Sequence, residues 1–135
     1  MKTLDLEVIT PSKAAFSGKI ESITVPGTIG NFQVLYNHAP ILSSLEIGFV
    51  KIIEAGGKET KYTVSGGTVE VLDNKVLLLV ESFESPEEID VKRAEESLQR
   101  AKERLSKSTS EKIDITRAEA SLKRAINRLK LKGAN

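Results

Sequence analysis

Six arginines fall into two matching groups of three: Arg93, Arg100 and Arg104, then Arg117, Arg124 and Arg128. They lie in IDVKRAEESLQRAKERL (89–105) and IDITRAEASLKRAINRL (113–129), stretches that agree at eleven of seventeen positions. A guanidinium is always charged and presents a planar fork of donors, so a row of them suits phosphate or carboxylate. Each stretch also carries an apolar stripe spaced 3, 4, 3, 4: Val91, Ala94, Leu98, Ala101, Leu105, and Ile115, Ala118, Leu122, Ala125, Leu129. That spacing predicts two amphipathic helices. With the stripe at heptad positions a and d, the arginines occupy c and g, about 40° apart on a helix. In an antiparallel pair the two g flanks meet, which places all six cations on one side of the hairpin. Some have carboxylates at helical spacing: Asp90 for Arg93, Asp114 for Arg117 and Glu96 for Arg100. Arg124 and Arg128 have none three or four residues away. The pattern points to a two-sided anion clamp or a basic face for an acidic partner. The competing reading is a solvated basic surface.

Other chemistries find little support. The chain has no Cys, no Trp and one His, which excludes disulfides, thiolate metal sites and a His-rich zinc site within the chain. His38 sits in the turn-like Tyr36-Asn37-His38-Ala39-Pro40, with no Ser/His/Asp arrangement to support it. The Gly-Lys of Ala-Gly-Gly-Lys-Glu-Thr lacks the remaining glycine and hydroxyl of a Walker loop. Glu87-Glu88 and Glu95-Glu96 read as helix surface charge. Aromatics at 4% and a net charge of +1 argue against nucleic acid. We therefore expect no catalytic residues, no metal site and no required cofactor.

The elements that must position the arginines divide the chain in two. Residues 1–85 carry 7 basic and 10 acidic side chains, whereas residues 86–135 carry 13 and 9. The first part reads as β. Leu4, Leu6 and Val8 alternate with Asp5 and Glu7, and KIESITV, NFQVLY, GFVKII, KYTV, TVEVL and KVLLLVES follow as short runs. Turn signals separate them at Pro26-Gly27, Gly30-Asn31, Asn37, Gly56-Gly57, Gly66-Gly67 and Asp73-Asn74. Glu54–Lys58 and Leu72–Lys75 read as hairpins. The fold class is α+β, β then α: an antiparallel β-sandwich (1–85) followed by an antiparallel two-helix hairpin (86–135). Helices are expected at about 90–105 and 114–131, with the polar Ser106–Lys112 as the turn. Ser85-Pro86-Glu87-Glu88 has a capping pattern. Asp90 is an alternative N-cap, and Asp114 occupies the matching place in the second copy. No apolar run approaches the roughly 20 residues of a membrane span, and the N-terminus does not read as a signal peptide. Few large aliphatics hold the hairpin, so it needs a surface to lie on and can have two arrangements of similar free energy.

The layout as a whole resembles the epsilon-subunit family of bacterial F-type ATP synthases. Three segments carry the resemblance: Gly30-Asn31-Phe32-Gln33-Val34-Leu35-Tyr36-Asn37-His38-Ala39-Pro40-Ile41-Leu42, Ser65-Gly66-Gly67 with Val69-Glu70-Val71, and Ile89-Asp90-x-x-Arg93-Ala94. The last recurs as Ile113-Asp114-x-x-Arg117-Ala118, so part of it is explained as helix-start chemistry.

The resemblance implies a non-catalytic rotor subunit of a proton-translocating ATP synthase, peripheral on the cytoplasmic side of a bacterial plasma membrane. It implies a β unit that joins the gamma subunit to the ring of c subunits, with Gly30, Asn31 and His38 in the contact loops. It implies a mobile helix pair that inhibits ATP hydrolysis when extended against the alpha/beta catalytic head. By the same analogy ATP is a regulatory ligand of the folded-down pair, held by Glu84, Asp90, Arg93, Ala94, Arg100, Arg124 and Arg128. A free-standing nucleotide sensor without rotor partners and a small enzyme are the alternatives from other classes.

Overall fold

Alternation of period two builds the N-terminal unit. The computed structural model describes residues 2–107 and 112–133, the side chains of 112–114 excepted. Within them the chain divides into two compact units, Met1–Ser85 and Pro86–Asn135.

The first unit holds seven strands: β1 (Leu4–Ile9), β2 (Ala14–Gly27), β3 (Gly30–Val34), β4 (Ile41–Glu54), β5 (Glu59–Leu72), β6 (Lys75–Val80) and β7 (Phe83–Glu84). Leu4, Leu6 and Val8 are buried while Asp5 and Glu7 are exposed, as a strand with one face on a core requires. The strands form one sheet in the order β1-β6-β5-β4-β2-β3, and β1 pairs again with β2. The sheet thus curls into a barrel-like sandwich around Val8, Ile20, Ile23, Val50, Ile52 and Leu78, all fully buried.

One pairing departs from the expected antiparallel pattern: β1 runs parallel to β6. The reason is topological. The closed circuit β1-β2-β4-β5-β6 has an odd number of members, and alternating directions cannot close around an odd ring. One neighbouring pair must share a direction, and it is β1 with β6.

The expected hairpins form. Glu54 N–H donates to Lys58 O at 2.9 Å and Gly57 N–H to Glu54 O at 2.8 Å. Asp73 and Asn74 have φ of 50° and 60°, a primed two-residue turn whose twist matches the flanking strands.

Gly66-Gly67 is not a turn. KYTV and TVEVL belong to the single 14-residue strand β5, and the two glycines lie inside it. Gly67 has φ +145°, and a Cβ there would lie 2.1 Å from Leu79 O and 2.8 Å from Val80 Cα. Glycine at this point lets β5 lie against β6 where Gly67 pairs with Val80. The NFQVLY run ends as a strand at Val34, which leaves Leu35 and Tyr36 in a turn.

The second unit is a helical hairpin, α1 (Val91–Ser106) and α2 (Lys112–Gly133). A short 3-10 turn, Pro86–Glu88, precedes it, so Ser85 does not cap the α-helix. Asp90 does: its side chain accepts from the Arg93 backbone N–H at 3.1 Å. Ile89, just before the cap, and Ala94 are both buried and occupy the positions of a hydrophobic staple. α2 begins at Lys112, two residues before Asp114, so Asp114 is not the matching N-cap. Residues 108–111 of the expected turn lie outside the described residues. The end of α2 returns to the start of α1, where Lys132 Nζ donates to Pro86 O at 2.8 Å.

Candidate functional site

Alanine forms the seam of the hairpin. Ala94, Ala101, Ala118 and Ala125 are 0–3% exposed, whereas Leu98, Leu105, Ile115, Leu122 and Leu129 are half-buried and Val91 is exposed. A methyl at each contact lets two helices approach closely, and the larger aliphatics then flank the line of contact. Ala94 therefore acts in helix packing. The flanking aliphatics leave this unit with apolar surface that is not fully covered.

The arginines differ in exposure. Arg93, Arg100, Arg104 and Arg117 are exposed, and Arg124 and Arg128 are half-buried. The expected ion pairs are largely replaced. Asp90 contacts Arg93 through the backbone N–H, since an N-cap carboxylate turns toward the free amides of the first helical turn. Glu96 does not pair with Arg100, which donates instead from its guanidinium to Ser97 Oγ at 3.1 Å. An exposed ion pair gains little over its entropy cost, so the shorter serine reach suffices. The Asp114–Arg117 pair lies outside the described side chains. Among the described residues the guanidinium groups of Arg93, Arg104 and Arg124 have no protein partner. Arg128 has an interaction within the chain. Glu84 lies in β7, opposite Thr63 of β5, and so belongs to the first unit.

In the first unit, Gly30 and Asn31 open β3 across the β2–β3 hairpin, where Gly27 pairs with Gly30 and Pro26 with Asn31. The tip is tied to β4 by Thr28, whose N–H and Oγ1 both donate to Ser44 O, at 3.2 and 3.1 Å. Ile29 at the tip is fully exposed. His38 follows the other end of β3, so the two expected contact loops stand about a five-residue strand apart. The His38 ring meets Ala39 O at 2.7 Å through Nδ1. A carbonyl can only accept, so Nδ1 donates.

Sequence reasoning missed an apolar outer face. Leu42 of β4 pairs across from Glu70 of β5, and Glu70 from Leu77 of β6. Leu72 and Leu79 share that side, and Leu42, Leu72 and Leu79 are 72%, 50% and 46% exposed. The signal was present in VLLLV, Val76–Val80. A strand with one wet face should alternate apolar and polar residues, yet its outward positions are leucines. Among the described residues no cluster of three or more His, Asp or Glu side chains could hold a metal, and no helix is long and apolar enough to cross a membrane.

The sequence matches the ATP synthase Delta/Epsilon chain beta-sandwich domain over residues 3–86 and the Delta/Epsilon chain long alpha-helix domain over residues 87–133. The chain belongs to the ATP synthase delta/epsilon chain family. Within the delta/epsilon family it is 49% identical over 108 residues to the ATP synthase epsilon chain of Pelotomaculum thermopropionicum, covering 80% of each chain. It is 45% identical over 105 residues to that of Nitratidesulfovibrio vulgaris, covering 78% of each. In fold it is similar to a chain of the Euglena gracilis mitochondrial ATP synthase, with TM-score 0.81, 21% identity, and 96% of this chain and 81% of that chain covered. A chain of the Tetrahymena thermophila mitochondrial ATP synthase central stalk and c-ring gives TM-score 0.61 and 18% identity, with 98% and 97% covered. The delta/epsilon chains are non-catalytic subunits, and this chain is an epsilon-type subunit of that kind.

Proposed function

We propose that the chain couples the gamma subunit to the c-subunit ring in the central stalk of a bacterial F-type ATP synthase, and that its helical hairpin restrains ATP hydrolysis. The first unit is the fixed coupling element. Its outer leucine face on β4–β6 supports docking on another protein, because an uncovered apolar patch of this kind is stabilised by burial. The β2–β3 tip with Gly30 and Asn31, and the turn with His38, supply separate contacts to the rotor. The chain sits peripherally on the cytoplasmic side of the plasma membrane, held there by the complex.

The hairpin is the regulatory element. The observation that carries this is the arginine row, in which Arg93, Arg104 and Arg124 keep guanidinium groups without a protein partner among the described residues. Such groups gain from any anion that approaches, and charge-assisted bonds are roughly twice as strong as neutral ones. In one arrangement the anion is ATP, held through Arg93, Arg100, Arg124 and Arg128, with Asp90 fixing the start of α1. In the other it is the acidic surface of the alpha/beta head. A ligand confined to the first arrangement stabilises it by RT ln(1 + [L]/Kd), so cellular ATP would relieve inhibition.

Calorimetric titration of the purified chain with ATP tests the clamp. Arg93→Ala and Arg124→Ala should each weaken binding by about 10-fold or more, the value of one hydrogen bond to a charged group. Wild-type affinity in both variants would refute it. A chain ending at Ser85 should still assemble and leave hydrolysis uninhibited.

A further inference from the structure

The segment from Leu35 to Pro40 joins β3 to β4 without strand pairing of its own. Its backbone closes a turn in which His38 N–H donates to Leu35 O at 3.0 Å and Asn37 has φ 64°, the geometry of a type II turn. Among the described residues this segment makes two hydrogen bonds to the rest of the chain, and both go to Asn74. Asn74 Oδ1 accepts from the Asn37 backbone N–H at 2.6 Å, and Asn74 Nδ2 donates to Asn37 Oδ1 at 3.2 Å. Asn74 is itself held, since it lies in the primed β5–β6 turn and its carbonyl accepts from Asp5 N–H at 3.0 Å. One residue thus fastens the turn, through its side chain, to a hairpin that its own carbonyl ties to β1.

What the turn displays has the make-up of a contact anchor. Leu35 and Tyr36 are 52% and 40% exposed. Beside them His38 spends Nδ1 on Ala39 O, and in the neutral tautomer that fits this bond Nε2 is an acceptor. Aromatic anchors dominate interface energetics when they are held in place before binding.

We propose that Asn74 is a positioning residue for the rotor contact: it locks the Leu35–His38 turn so that Leu35, Tyr36 and His38 meet a protein surface offering an apolar recess and a hydrogen-bond donor. The proposal rests on the coupling role assigned above. Asn74 does not touch the partner and acts through Asn37.

The test uses the full chain. Asn74→Gly keeps the positive φ of the turn and removes the amide. Asn74→Asp keeps the acceptor for the Asn37 N–H and, after the Asn37 amide flips, accepts from that as well. In the free protein, amide hydrogen exchange at Asn37 and His38 should quicken about fivefold in Asn74→Gly, the equivalent of one net hydrogen bond, and stay near wild type in Asn74→Asp. Affinity for the gamma subunit with its c ring should fall about fivefold or more in Asn74→Gly, recover in Asn74→Asp, and fall in Tyr36→Ala. The urea midpoint should be nearly unchanged in all three. Unchanged exchange in Asn74→Gly overturns the lock. Faster exchange with unchanged affinity overturns the positioning role, as does wild-type affinity in Tyr36→Ala. Failure of the wild-type chain to bind gamma and the c ring overturns the coupling role while leaving the exchange result to decide the lock.

Discussion

Asp90 occupies a place where two functions compete, and substitution separates them. Its carboxylate accepts the Arg93 N–H at 3.1 Å and caps α1, while the proposed nucleotide clamp would give it a second part. Loss of an N-cap costs about 1 kcal/mol, with a range of roughly 0.5–2. At room temperature that is about a fivefold rise in the population with the first turn of α1 open. Asparagine caps as well as aspartate, so Asp90→Asn should leave the helix start intact while removing the charge. The assay is NMR amide exchange at Arg93, with the helical circular dichroism melt as a second reading. Asp90→Ala should speed Arg93 exchange about fivefold, and Asp90→Asn should not. If Ala and Asn behave alike, or neither changes the Arg93 amide, the capping argument fails. ATP titration of the same pair then separates the roles. Equal loss of affinity in both would indicate a charge in the clamp, and loss in Ala alone would indicate that Asp90 acts by holding α1.

Two further substitutions test the framework. Gly67→Ala should destabilise the β unit by about 2–6 kcal/mol, from a left-handed φ and a Cβ 2.1 Å from Leu79 O, read as a lower urea midpoint. Ala125→Leu places a large side chain on a fully buried seam position and should cost about 1–3 kcal/mol, lowering the melt of the helical signal while the β signal holds.

Local pattern carried much of this structure. The 3, 4, 3, 4 stripe marked both helices, and Asp90 marked the start of the first, because helix periodicity and capping act within a few residues. The alternation at Leu4, Leu6 and Val8 marked β1 for the same reason. The contacts of the residues in and around the motif with Arg93 and Ala94 follow from tertiary packing rather than from spacing. Ala94 is a seam residue, Arg100 turns to Ser97, and Arg128 is engaged. Side-chain direction on an exposed helix depends on small differences between competing partners, which spacing does not resolve.

By itself, then, the sequence determined a β-rich part followed by a helix pair, and the turns at Glu54–Lys58 and Leu72–Lys75. Tertiary structure alone decided that β1 joins β6 in parallel, because the direction of that pair follows from closing an odd ring. It alone turned Gly66-Gly67 from a turn into the middle of a strand, because the reason lies in β6, at Leu79 and Val80. And it alone brought Asn37 to Asn74 across 37 residues, since a hydrogen bond between two surface turns leaves no period in the chain.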